Sequence, residues 1–208
     1  MNPSVMAIGT ALPSFCATQE QIADVLGYKG LPRKLLVDSP IKRRYFFINP
    51  ELGRTPEVLT WQFLCEQYQK GALELSLKSI EKCMQGYDYQ DVGLIAFAST
   101  TGFQVPAMSY QIAAKLGLRE DIMHINNVGG GCQGLAPAFR SVVDYVKATG
   151  KKALAVSTEI CSATYFPIGN WRENFDVLLA SAIFADASSA VLVGLSDKPQ
   201  HPEVIDFE

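Results

Sequence analysis

The sequence is poor in histidine, in tryptophan and in net charge. Two His and two Trp occur in 208 residues, and 18 Lys plus Arg face 21 Asp plus Glu, leaving a net charge of −3. A chain so balanced lacks the basic footprint of a protein that gains affinity by neutralising phosphates, so no nucleic-acid partner is expected. Five cysteines are neither dense nor even in number for this length. A disulfide framework is therefore not expected, and a reducing compartment is the default. Cys16, Cys65, Cys83 and Cys161 form no CxxC and have no histidine close by, so no metal site is expected. No apolar run reaches the roughly 18 residues that cross a bilayer. The first residues, MNPSVMAIGTALPSF, lack the cationic start and long apolar stretch of a secretory signal. A cytoplasmic location without membrane attachment is the expectation.

Hydrophobic residues make up 48% and charged residues 19% of the chain, an ordinary globular composition. No low-complexity linker divides the sequence, so residues 1–208 are read as a single domain. Val5–Ile8 predicts a short strand ended by Gly9 and the Leu12-Pro13-Ser14 turn. Thr18-Gln19-Glu20-Gln21 has the pattern of a capping box and predicts a helix through Leu26. Thr55-Pro56-Glu57 predicts a second helix start, with helical apolar spacing from Val58 to about Met84. Asp91–Ala98 is a continuous apolar run, as for a strand covered on both faces. A helix over Ser109–Leu116 stopped by Gly117, a strand over Ile122–Ile125, a helix over Leu135–Ala148 ending at Gly150 and a strand over Ala153–Val156 follow. Ile183-Phe184-Ala185 and Ala187–Leu195 read as paired strands, and Val204–Glu208 as the opening of another. Strands alternating with helices predict an α/β layered fold with a largely parallel sheet.

The segment Asn126-Asn127-Val128-Gly129-Gly130-Gly131-Cys132-Gln133-Gly134 carries most of the chemistry. It lies between a predicted strand and a predicted helix. Three successive glycines cost backbone entropy, allow a tight turn and let a substrate come close to the main chain. A thiol at a helix start meets the positive end of the macrodipole, a setting that favours nucleophilic cysteine, and neighbouring N–H groups can hold an oxyanion. Cys16, Cys65, Cys83 and Cys161 read as packing residues, His124 as a core residue and His201 as a solvated one. By pattern alone Phe184 reads as strand core, Thr100 and Thr164 as sheet residues, Glu159 as a solvated strand end, and Arg33 and Lys34 as surface cations.

Five segments taken together carry a resemblance: Ile41-Lys42-Arg43-Arg44-Tyr45, Ser99–Pro106, Gly131-Cys132-Gln133-Gly134, Ser157–Tyr165 and Ala182–Gly194. In that order they resemble the N-terminal half of condensing enzymes of the thiolase fold, closest to type III polyketide synthases of the chalcone-synthase-like group, with KAS III ketosynthases next. The resemblance implies one half of a thiolase-like fold, a duplicated βαβαβαββ unit layered α-β-α-β-α. It implies that Cys132 accepts the acyl group and that Phe184 is the aromatic gate between a coenzyme A tunnel and the reaction cavity. Thr100, Glu159 and Thr164 would line that cavity or its hydrogen-bond network. Val105 would cross a two-fold interface formed through the sheet into the partner copy's cavity, and Arg33 and Lys34 would lie near the coenzyme A phosphates. Acyl-CoA and malonyl-CoA, or carrier-protein thioesters, would be substrates, with no permanently bound cofactor.

The family's catalytic His and Asn come from the second half of the fold, which this chain lacks. A complementary C-terminal half on a separate chain would then supply them. Many relatives also place an aromatic residue shortly after the nucleophile, where this chain has Gln133, and the stretch Phe166–Phe175 departs from the plant enzymes. Two other functions stay open on the residues. Gly130-Gly131-Cys132-Gln133-Gly134 also satisfies G-x-C-x-G, a cysteine form of the α/β-hydrolase elbow, with His201 as the sole downstream histidine. The chain could alternatively be a non-catalytic subunit that shapes the cavity of a ketosynthase heterodimer.

Overall fold

A computed structural model describes residues 2–54, 58–164 and 171–205, the side chains at 53 and 54 excepted. Thr55-Pro56-Glu57, Tyr165 to Asn170, and Asp206-Phe207-Glu208 lie outside the described residues. Two compact units are present: one of Met1–Ala11, Ala72–Glu159 and Ser188–Glu208, the other of Leu12–Gly71 and Ile160–Ala187.

The first unit is built on β1 (Asn2–Ala11), β4 (Val92–Ser99), β5 (Met123–Val128), β6 (Lys152–Glu159) and β7 (Ala187–Ser196), joined in the order β1-β7-β6-β4-β5. The second carries a two-stranded antiparallel ribbon of β2 (Phe15–Thr18) and β3 (Arg43–Phe46), with helices α1 (Gln19–Val25), α2 (Leu31–Val37) and α6 (Phe175–Ile183). Helix α3 (Trp61–Cys83) contributes residues to both, and α4 (Met108–Leu116) and α5 (Leu135–Thr149) belong to the first.

Strand β4 pairs in parallel with both β5 and β6. All eight of its residues are buried, which is why its sequence up to Ser99 is continuously apolar rather than alternating. On one face, Leu94, Ala96 and Ala98 of β4 and Ala153 and Ala155 of β6 meet Ala138, Val142, Val143 and Val146 of α5. Those helix residues recur at the spacing of one apolar stripe, and alternate residues of the strands share a face. The small alanines let the helix lie close to the sheet. Gly117 and Gly150, both left-handed, end α4 and α5.

The sheet is mixed rather than parallel throughout, because β1 and β7 form an antiparallel pair. The β7 direction follows from its neighbours. Ser188 near its start hydrogen-bonds Thr158 near the end of β6 at 2.7 Å. Gly194 near its end stands beside Lys152 at the start of β6. Strand β7 therefore runs against β6, and its last residues lie at the opposite end of the sheet from the ends of β4, β5 and β6. On the second face Ser76, Ser79, Thr158 and Ser188 join in a buried chain of hydroxyls. Gly9 permits this packing: a Cβ there would come within 2.0 Å of the Ser79 carbonyl oxygen.

The capping box forms as expected. Gln21 N–H donates to Thr18 Oγ1 at 3.2 Å, and Thr18 N–H donates to Gln21 Oε1 at 2.9 Å. Ile183-Phe184-Ala185 is not a strand. Phe175–Ile183 is helical and Phe184 is its C-cap, turning extended at φ −80°, ψ 154°. An all-apolar run of this length fits a buried strand or a helix equally well on periodicity, and here the helix wins. Val204 and Ile205 do not continue as a strand; Glu203 makes an isolated bridge to Ser4, and Val204 N–H donates to Pro3 O at 2.8 Å.

Candidate functional site

The ends of β4, β5 and β6 converge at one edge of the sheet, the edge at which open α/β sheets bind ligands. β4 ends at Ser99 and leads to Thr100 and Thr101, β5 runs into the glycine turn, and β6 ends at Glu159. Thr100 N–H donates to both Glu159 carboxylate oxygens at 2.9 and 3.0 Å. Thr101 gives its N–H at 2.9 Å and its hydroxyl at 2.7 Å to Glu159 Oε2, and the Ser99 hydroxyl donates at 3.4 Å. Glu159 is thus no solvated strand end but a bracket that fixes the β4 terminus.

Thr100 ties that bracket to the cysteine. Its hydroxyl donates to Gly131 O at 3.1 Å, and Gly129 N–H donates to Ser99 O at 2.9 Å. Within the turn Gly134 N–H donates to Gly131 O at 2.9 Å, and Asn127 Nδ2 donates to Gly134 O at 2.6 Å. Gly129 and Gly131 stand at φ +78° and +63°, a region closed to most side chains, with open space where a Cβ would go. The glycine run therefore answers a conformational need and leaves the main chain approachable. Cys132 rides on a short 3₁₀ turn, Gly131–Gln133, and is exposed. Helix α5 starts at Leu135 with Gly134 as its N-cap, so Cys132 precedes the first helical turn rather than occupying it. Gln133 is exposed beside it.

The structure thus brings Cys132, Thr100 and Glu159 together. Val105 stands on the loop between β4 and α4, 90% exposed, with Phe103 at 70%. Thr164 and Phe184 belong to the second unit. Thr164 is exposed and its hydroxyl donates to Cys161 O at 2.8 Å. Phe184 is 45% exposed, so it is not strand core. Arg33 pairs with Glu20 and Asp24, while Lys34 is exposed on α2. A concavity of about 380 Å³ in the second unit, lined by Phe15, Cys16, Ile22, Val25 and Pro50 among others, contains none of these residues.

Neither histidine supplies a base to Cys132. His124 Nδ1 shares a hydrogen bond with the buried Ser109 hydroxyl at 3.1 Å, and its ring stacks on Tyr110 at 3.9 Å. Partial burial holds its pKa below the usual imidazole value. His201 Nδ1 is 2.7 Å from the hydroxyl of Ser196, the last residue of β7. That end of the sheet is the far one from Cys132, separated by a strand of eight residues, about 25 Å. The hydrolase elbow therefore loses its histidine. Among the described residues no group of three or more His, Cys, Asp or Glu could hold a metal ion, and no helix is long and apolar enough to cross a membrane.

Three polar residues escaped the sequence reading. Asn127 holds the turn, and its signal was a pair of amides closing an apolar strand. Asp186, a lone charge in the apolar run from Ala182 to Ala187, accepts hydrogen bonds from Phe47 N–H, Ser162 N–H and the Ser162 hydroxyl at 2.6, 2.8 and 2.5 Å. Burial pushes its carboxyl pKa up, against the pull of these donors. Arg44 is 2% exposed, and nothing local in Arg43-Arg44 distinguishes the buried arginine from its neighbour.

A family model for chalcone and stilbene synthases, N-terminal domain, matches residues 2–197. Among solved structures, the chain is similar to the C-terminal type III polyketide synthase domain of Steely1, a type I/III polyketide synthase hybrid from Dictyostelium. The TM-score is 0.84 at 22% sequence identity, over 97% of this chain. The match spans 58% of that domain's chain, and it establishes the fold.

Proposed function

Because the chain belongs to the family of chalcone and stilbene synthase N-terminal domains, we propose that it is the acyl-accepting half of a ketosynthase-type enzyme. The exposed Cys132 on its glycine turn, tied by Thr100 to the Glu159 bracket, carries this reading. Cys132 Sγ attacks the carbonyl carbon of an acyl-CoA, the coenzyme A thiolate leaves, and a thioester to Cys132 forms. A malonyl thioester then loses carbon dioxide. The resulting enolate carbon attacks the acyl carbon, the bond to Cys132 breaks, and a ketoacyl thioester departs. Covalent capture divides one difficult carbon–carbon bond formation into easier steps.

The turn's role is to hold the sulfur out toward substrate while its own carbonyls are occupied by Thr100, Asn127 and Gly134. Thr164 and Phe184 line the cavity in this reading, Lys34 and Arg33 face the coenzyme A phosphates, and Val105 reaches a partner copy across a two-fold axis. Arg33 is the weaker of the two cations for that task, since Glu20 and Asp24 already engage it. A complementary half supplies a His and an Asn to polarise the malonyl thioester and stabilise the oxyanion, a group of effects worth several powers of ten in rate.

Radiolabelled acetyl-CoA offered to the chain with its complementary half tests the assignment. Wild type becomes labelled, Cys132→Ala does not, and His201→Ala labels as wild type. Labelling of Cys132→Ala at the wild-type rate overturns the nucleophile. Loss of labelling in His201→Ala revives the hydrolase reading. Full extender condensation by Cys132→Ala would identify a cavity-shaping subunit instead.

A further inference from the structure

We infer that Arg44 is a positioning residue that fixes where the Phe184 ring stands at the end of α6, and through it sets which acyl chains are accepted. The second half of that statement rests on the reading of Phe184 as a cavity residue; the first rests on geometry within the second unit.

A helix leaves its last carbonyls without partners from its own backbone. At the end of α6 these acceptors are met by side chains from far away in sequence. Arg44 Nη1 donates to Ser181 O at 2.6 Å and to Phe184 O at 2.8 Å. Arg44 Nε donates to Gln19 Oε1 at 2.8 Å, and Gln19 Nε2 in turn donates to Ala182 O at 2.8 Å and to Ser39 Oγ at 3.1 Å. Both side chains are buried, Arg44 at 2% and Gln19 at 3% exposure. The guanidinium lies 5.2 Å from the Phe46 ring centroid and places its positive charge at the helix C-terminus, where the macrodipole favours a cation. Just beyond, Asp186 N–H donates to Tyr45 O at 2.9 Å, and the Asp186 carboxylate holds Phe47 N–H and Ser162.

Phe184 is therefore gripped by its own carbonyl on one side and by Asp186, two residues on, while its ring remains 45% exposed. A rigid backbone under an exposed ring is the arrangement of a fixed obstacle. Arginine suits the task where lysine would not, because its planar fork bonds two carbonyls and the Gln19 amide at once.

The test is a double-mutant cycle on the chain assembled with its complementary half, reading the ratio of acyl transfer from acetyl-CoA and decanoyl-CoA. Phe184→Ala changes the ratio. Arg44→Lys moves it in the same direction by about fivefold, and adds nothing further in the Phe184→Ala background. In parallel, 4-fluorophenylalanine introduced at position 184 alone gives a fluorine resonance that broadens or shifts in Arg44→Lys well below the unfolding temperature. Where Phe184→Ala changes the ratio, an unchanged ratio in Arg44→Lys, or a full additional shift on top of Phe184→Ala, overturns the positioning role. If Phe184→Ala leaves the ratio unaltered, the cavity reading of Phe184 fails. The fluorine line then decides on Arg44 by itself, and an unperturbed line rejects it. Should Arg44→Lys not fold, Gln19→Leu takes its place in the same cycle, since it removes the Nε acceptor and the donor to Ala182 O.

Discussion

The two units are held by different means. In the first, β4 is buried along its whole length, and α5 covers one face with a stripe of valine and alanine. In the second, the ribbon is only four residue pairs long, and the segment around Phe184 is fixed by buried polar side chains: Arg44, Gln19, Asp186 and Ser162. Apolar burial is non-directional and tolerates small displacements. A hydrogen-bonded guanidinium fixes atoms to a few tenths of an ångström, and costs more when it is left half made. The glycine turn with Cys132 stands on the apolar framework, and the Phe184 segment on the polar one. The difference teaches that substitutions of equal size should have unlike effects: large and general in the first unit, smaller but geometric in the second.

The largest effect is expected from Phe97→Ala. Phe97 lies in the middle of β4 at 1% exposure. Its loss should destabilise by about 3–5 kcal/mol, the transfer term plus a cavity between packed layers. Urea denaturation reads the change. A cost below that of the Asp186 variant that follows would break the comparison, because it would mean the sheet is not held chiefly by burial.

Asp186→Asn comes next. The amide keeps the size but has one acceptor oxygen for three donors, so at least one of Phe47 N–H, Ser162 N–H and the Ser162 hydroxyl loses its partner. That costs about 1–3 kcal/mol. The pH dependence sharpens the prediction. Burial raises the folded carboxyl pKa, so the fold binds a proton more readily than the unfolded chain does. The stabilisation is complete below the ordinary carboxylate value and is lost as pH rises through the folded value. The cost of Asp186→Asn therefore shrinks over that rise. A cost that grows with pH would show that the three donors outweigh burial.

This contrast also explains what could be read from the amino-acid order. Elements whose signal lies within a few residues were legible: the Thr18 capping box, the Gly117 and Gly150 stops, and the apolar run of β4. The turn at Cys132 was legible too, since three glycines between a strand and a helix leave few alternatives. What stayed hidden depends on partners distant in sequence. Arg44 meets carbonyls 137 and 140 residues away, and Asp186 meets an N–H 139 residues away. No local pattern marks Arg44 as buried and Arg43 as exposed. The misread of Ile183-Phe184-Ala185 has the same root, because the helix end there is stabilised by Arg44 and Gln19 rather than by a residue of its own sequence.

The smallest effect probes the edge of the first unit, where a polar contact sits on the apolar framework. His124 on β5 bonds the buried Ser109 hydroxyl, which also accepts from Asn126 Nδ2 at 2.8 Å, and stacks on Tyr110. Its folded pKa lies below the ordinary imidazole value because burial disfavours the cation. The neutral ring is thus the form the fold prefers: its contribution is present above the unfolded pKa and is lost as pH falls through the folded one. His124→Phe keeps a ring on Tyr110 and removes the titration, so the melting temperature of the variant should fall less than that of wild type between pH 7 and pH 5. The ring is partly exposed, and solvent screening keeps the difference small. A variant that tracks wild type across this range would remove His124 from the acid response, and with it the contrast in sign with the Asp186 cluster, which loses stability as pH rises where His124 loses it as pH falls.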